Sequence, residues 1–163
     1  MKVETFCRRV LLTSLALICL TSCGQTISKK LTSAAASKAA EDAFVEVNSD
    51  DPGKEINVKS SIVFGKYTVV DFSSEGCPSC REIKPLLERL TAARPDIIVR
   101  SFNVNRKGVD GIDWESPLVA EYRIRSLPYL EIFNEKGVLI AEGNSAKKQV
   151  IDAINDDLIL RHH

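Results

Sequence analysis

The sequence predicts an α/β domain, a central mixed β-sheet flanked by helices. Two observations carry this. Residues 67–160 alternate between short β-branched runs and longer stretches whose apolar residues recur three and four apart. The resulting order, β-α-β-α-β-β-α, suits a mixed sheet with helices on both faces.

Tyr67-Thr68-Val69-Val70-Asp71-Phe72 reads as a buried strand, because its apolar character is nearly continuous. Cys80 to Arg94 reads as a helix, with Ile83, Leu86, Leu87 and Leu90 on one face and Pro85 kinking it. Ile97 to Val104 is a second strand. Ser116-Pro117 supplies an N-cap and a proline at N1 for a short helix through Tyr122. Tyr129–Phe133 and Val138–Ala141 form a strand pair around the turn Asn134-Glu135-Lys136-Gly137. Ser145 to Leu160 closes the chain as an amphipathic helix, with Val150, Ile151, Ile154 and Leu158 inward. Upstream, Asn48 to Gly53 is a turn cluster. The alanines of 31–44 also allow a helix.

The 163 residues suffice for one domain of ordinary size. Lys+Arg and Asp+Glu number 22 each, so no excess cation is available to meet the phosphates of a nucleic acid.

The N-terminus has the three parts of a secretory signal: basic Lys2, Arg8 and Arg9, the apolar run Val10–Leu20, then small residues. That run is too short to span a bilayer. Leu20-Thr21-Ser22-Cys23 resembles the bacterial lipoprotein cleavage box. The resemblance implies cleavage before Cys23 and a lipid on its sulfur; the alternative is ordinary cleavage that leaves a free cysteine. The expected organisation is a signal peptide at 1–22, a lipidated N-terminus and tether at 23–55, and the folded domain at 56–163. The expected location is the cell envelope, anchored on its extracytoplasmic side, at either the periplasmic or the outer surface.

Five cysteines then reduce to two usable thiols. Cleavage removes Cys7 and Cys19, and lipidation occupies Cys23, leaving Cys77 and Cys80. This pair lies between a strand and a helix. Cys77 falls at the helix N-terminus, where unpaired N–H groups and the helix dipole favour a thiolate. Pro78 fits the first helical turn, since it has no N–H to leave unsatisfied. Cys80 is about one turn on and can reach back to close a disulfide. Half of a zinc site is the competing reading, but the second ligand pair is missing, and no metal is expected.

The stretch from Val69 through Asp71, Cys77-Pro78-Ser79-Cys80 and Pro85, with Ser126-Leu127-Pro128 and Gly143, resembles a thioredoxin-family active site. The resemblance covers roughly residues 62–157. It implies a thioredoxin-like fold and thiol–disulfide oxidoreductase activity without an organic cofactor. Cys77 is then the nucleophile and Cys80 the resolving thiol. Asp71 is the buried acid that takes the proton of Cys80, although an edge-strand or turn aspartate would look the same in sequence. Pro128 is expected cis, against a trans proline that merely starts a strand. Leu127 would present backbone groups to an extended substrate, with Pro78 beside them.

The chain departs from thioredoxin in three places. Gly76 replaces the tryptophan before the first cysteine. Ser101 stands where a lysine approaches the buried acid, with Arg100 adjacent. Residues 106–115 lengthen a connection and carry the sole tryptophan, Trp114, expected in the core rather than on a docking surface.

The partners this implies are proteins with disulfides or thiols, the membrane through the lipid, and a membrane thiol reductase as electron donor if the protein works as a reductant. The rival functions are a disulfide donor of the same fold and a non-catalytic CxxC module, permanently bridged or holding copper.

Overall fold

The computed structural model describes residues 42–160, with side chains to residue 156. The signal peptide, Cys23, most of the tether, all but the end of the 31–44 helix, and the side chain of Leu158 lie outside the described residues.

Five strands form one mixed sheet in the order β1-β3-β2-β4-β5. They are β1 (Phe44–Glu46), β2 (Tyr67–Ser73), β3 (Ile97–Asn103), β4 (Tyr129–Phe133) and β5 (Leu139–Glu142). β1, β2 and β3 run parallel; β4 is antiparallel to β2, and β5 to β4. The helices are α1 (Pro78–Ala93), α2 (Pro117–Glu121) and α3 (Gly143–Leu160), with a 3₁₀ turn at Val58–Ser61.

The sheet is covered on both faces, which explains why its central strand reads as continuously apolar. On one face Val69, Val99, Leu130 and Ile132 pack against Ile83, Leu87 and Leu90 of α1 and Val150 and Ile154 of α3. On the other, Val70, Phe72, Phe102 and Phe133 meet Val58, Leu118 and Val119. The alternation along β2 decides the site: Val70 and Phe72 face one way, while Val69 and Asp71 face α1.

Three differences from the sequence reading have local causes. Phe44, allowed above as the end of a helix, begins β1, so the sheet starts before residue 56; this three-residue strand is too short to show a period and is defined by pairing with β3. Ile151, placed above on the buried face of the last helix, is 38% exposed, because Val150 and Ile154 already fill the seam with the sheet. Trp114 is not in the core: it is 45% exposed, on a loop whose inward position is taken by Asp113.

Phe72 anchors the second face. It is fully buried, with ring centroids of Tyr122, Phe102 and Tyr129 at 4.9, 5.7 and 5.9 Å. Phe72→Ala is expected to cost about 3–5 kcal/mol in urea unfolding, from lost transfer energy and the cavity left behind. A loss below about 1 kcal/mol would show that the aromatic cluster collapses freely into the space.

Candidate active site

Ser74-Glu75-Gly76 carries the chain from β2 into α1. Ser74 tightens this turn: its carbonyl accepts the Cys77 N–H at 3.1 Å, and its hydroxyl oxygen accepts the Gly76 N–H at 3.1 Å. Cys77 is the N-cap of α1, extended at φ −99° and ψ 111°, and Pro78 is at N1. The Cys80 N–H donates to Cys77 Sγ at 3.2 Å. A sulfur thus takes the role that a serine or aspartate oxygen usually plays in satisfying a free helix donor. The same donor and the helix dipole stabilise negative charge on Cys77 once the pair is reduced.

Cys77 and Cys80 are joined as a disulfide, with Cα atoms 5.3 Å apart. Both are buried, at 3% and 4% exposure. Ser79, within this motif, has its Oγ 3.4 Å from Cys77 Sγ and donates to the Leu127 carbonyl at 3.3 Å. That bond ties the first turn of α1 to the Leu127–Pro128 segment, whose peptide bond is cis. Pro128 is buried and Leu127 half-buried, next to the dithiol.

Asp71 sits in the middle of β2, hydrogen-bonded to strands on both sides, and is 2% exposed. Ser101 Oγ donates to its Oδ2 at 3.1 Å. Oδ1 has no hydrogen-bond partner. A cavity of about 670 Å³ reaches Asp71 and Cys80 together, with Lys84, Glu46, Ser73 and Ser101 also in its walls. Burial pushes the Asp71 carboxyl up to about 6; the Ser101 and Ser73 hydroxyls and the Lys84 charge partly oppose this, and Glu46 adds to it.

Lys84 was not singled out from the sequence. Its Nζ is held by Glu46 Oε1 at 2.5 Å, and this bond raises the ammonium pKa. The i, i+4 spacing from Cys80 was the available signal, since it puts Lys84 on the same helix face. Arg100, the cation adjacent in sequence to Ser101, is directed away; its guanidinium donates to the carbonyls of Asp42 and Val99, each at 3.0 Å. Glu131 is a second buried carboxyl, pushed up to about 7 by burial and by Glu142. It is paired in register with Val70 rather than Asp71, and so faces away from the dithiol.

The lengthened connection reaches the site as well. A Cβ built on Gly76 would overlap the Gly111 carbonyl, so backbone occupies the place where an aromatic wall was missing. Arg106 holds this loop closed, donating from Nε and Nη2 to the Asp113 carboxylate at 2.7 and 2.9 Å. The ion pair keeps the Asp113 carboxyl at about 2, well below the usual range.

A capping sulfur bonded to a second cysteine one turn away, backed by a buried acid and flanked by a cis-proline loop, is the arrangement of a dithiol exchange enzyme. The Thioredoxin family model matches residues 54–156, and the chain belongs to the thioredoxin family. It is therefore a thiol–disulfide oxidoreductase with a thioredoxin-like fold. Similar proteins include the thioredoxin of Pongo abelii, 27% identical over 58% of this chain and 81% of that one. The thioredoxin of Chlamydia pneumoniae is 31% identical over 46% of this chain and 66% of that one. Among solved structures, the long form of spinach chloroplast thioredoxin f is 23% identical with a TM-score of 0.49, over 74% of this chain and 93% of that chain.

The Asp71 proton is bound more tightly in the folded chain than in the unfolded one, where the carboxyl has its ordinary value of 3.8. The group therefore favours folding below about pH 4 and opposes it increasingly as pH rises toward 6. Asp71→Asn, compared with the parent in the oxidised form, is expected to gain up to about 3 kcal/mol at pH 7 and above. The gain should shrink to near zero below about pH 4. Denaturant melts of both proteins at each pH test this, because the Glu131 contribution cancels in the difference. A gain independent of pH would mean that Asp71 is not titrating in that window.

Proposed function

We propose that this protein is a lipid-anchored, extracytoplasmic reductase of protein disulfides. The observation that carries the chemical part is the capped sulfur of Cys77 beside a Cys80 that shares a polar cavity with Asp71. The Cys77 thiolate attacks one sulfur of a substrate disulfide, forming a mixed disulfide and expelling the other sulfur as a thiolate. Asp71 takes the proton of Cys80. The Cys80 sulfur then attacks Cys77 Sγ, releasing the second substrate thiolate and leaving the Cys77–Cys80 disulfide. One substrate disulfide is reduced for each dithiol oxidised.

Leu127 and Pro128 steady the substrate chain, with Pro78 at the edge of the same surface. A carbonyl can accept two hydrogen bonds, so Leu127 can keep its bond to Ser79 while pairing with substrate. A membrane thiol reductase restores the dithiol. The anchor reading rests on the order of basic residues, apolar run and Leu20-Thr21-Ser22-Cys23.

Cys80→Ser should accumulate mixed disulfides through Cys77, while Cys77→Ser traps almost none; equal trapping by both would remove the assignment of nucleophile. Asp71→Asn should slow decay of the mixed disulfide on the order of a hundredfold, with its formation nearly unchanged. Single-turnover kinetics on a peptide disulfide separate the two steps, and an unchanged decay rate takes Asp71 out of the mechanism. Thiol alkylation in cells should find the pair mostly reduced; a mostly oxidised pair would favour a disulfide donor. Cys23→Ala should move the protein out of the membrane fraction without loss of activity on a soluble disulfide. Retention in salt-washed membranes would count against the lipid.

A further inference from the structure

We propose that the end of the sheet opposite the dithiol is a membrane-contact surface: Phe64 and Val138, flanked by Lys66 and Lys136, rest on the bilayer that holds the lipid of Cys23, and the dithiol faces away from it. The proposal deepens the reading of Cys23 as a lipid anchor and rests on it.

Four of the seven large apolar side chains exposed among the described residues belong to one place: Phe64, Val138, Leu139 and Ile140. Phe64 lies against the turn between β4 and β5, since a Cβ built on Gly137 would come within 3.1 Å of its ring. The Gly65 N–H donates to the Glu135 carbonyl at 2.9 Å, which ties the loop before β2 to that turn. The turn is also fixed internally, because Asn134 Oδ1 accepts the N–H groups of Lys136 and Val138 at 3.0 Å each. Val138 follows Gly137 directly, and Leu139 and Ile140 carry the apolar surface onto the edge strand β5. Phe64 is 77% exposed and Val138 55%. A contiguous apolar surface on a rigid support marks a contact region.

Its place in the fold selects the occupant. β1, β2 and β3 are parallel; Phe44 is in register with Val99, and Val99 with Val69. The chain therefore enters β1 at the end of the sheet where β2 begins. The Phe64 loop and the β4–β5 turn lie at that same end, with Phe133 opposite Thr68. Cys77 lies beyond the other end of β2, about 20 Å away along the strand. Residues 24–41 separate Cys23 from Asp42, so a lipid on Cys23 lies within about 65 Å of the point of entry. That link keeps the apolar cluster at high effective concentration beside the bilayer, where a weak contact suffices to orient the domain. Phe64 and Val138 enter the interface, while exposed Lys66 and Lys136 meet anionic headgroups; Glu135 is the acid beside Lys136, and Arg94 and Asp96 at this end are bound to each other.

The test uses the full lipidated protein on vesicles of phosphatidylcholine and phosphatidylglycerol, the former brominated on its acyl chain near the headgroup. Trp114→Phe removes the sole tryptophan, and one reporter is then placed at either end: Phe64→Trp at the proposed contact, or Glu75→Trp beside the dithiol. Emission of the Phe64→Trp protein should fall at least about twofold on brominated relative to unbrominated vesicles, while that of the Glu75→Trp protein stays nearly unchanged. Adding Val138→Asp to the Phe64→Trp protein should remove most of the quenching although the protein still floats with the vesicles, because the lipid alone retains it. Quenching that persists takes the apolar cluster out of the contact. Equal quenching at both ends, or none in Phe64→Trp protein that floats, would overturn the proposal and leave the anchor reading standing. A blue-shifted Phe64→Trp emission without bromine quenching also overturns it, and gives the surface to a second copy of the chain. Parent protein that does not float with the vesicles refutes the anchor reading and takes the proposal with it.

Discussion

The N–H of Cys80 is donated to the sulfur of Cys77, and the rest of the site is arranged around that bond. It makes Cys77 the residue on which α1 begins, so one interaction both starts the helix and stabilises charge on the attacking atom. A helix needs its first donors satisfied, and an attacking thiolate needs donors. At this junction the two requirements coincide. Pro78 supports the same start by lacking the N–H that would otherwise need a partner. Ile83, Leu87 and Leu90 pack α1 on the sheet, and Cys80 and Lys84, four residues apart on the helix, share a cavity with Asp71 of β2.

Burying Asp71 works against stability at neutral pH, and the surroundings offset this only in part. Two serine hydroxyls face the carboxylate, and a lysine stands nearby with its charge already engaged by Glu46. The Lys84 charge lowers the Asp71 carboxyl pKa, and Glu46, which holds that ammonium, works in the opposite direction. Burial outweighs both, and the acid sits at about 6, where a proton acceptor is useful near neutral pH. Glu46 belongs to β1, an edge strand of three residues, so a short peripheral element bears on the electrostatics of the site.

Much of this was legible from the chain. The strand before the cysteines, the helix after them and the strand pair near the end follow from periodicity, because each buries a regular set of apolar residues. Cys77, Pro78 and Cys80 follow from their spacing at a strand-to-helix junction. Asp71 stands out because a lone acid among Val69, Val70 and Phe72 costs free energy unless it is used or neutralised. β1 was not legible, since three residues cannot display a period. Trp114 was misread as core, because a tryptophan's average burial says nothing about a loop whose inward position is filled by an ion-paired aspartate.

The sequence by itself determined the elements, the dithiol and the buried acid, because these depend on local spacing and on the pattern of apolar residues. Only the tertiary structure decided which cation faces Asp71, how Ser79 is tied to Leu127, and where the 105–115 connection comes to rest. These depend on contacts between residues far apart in the chain, such as Glu46 with Lys84 and Gly76 with Gly111. Arg100 and Lys84 are both cations near the site in sequence terms, and only the direction of each side chain in the packed sheet separates them. A one-dimensional pattern carries the face on which a residue lies, but the partner it meets there is set by the packing of elements that the pattern does not relate to one another.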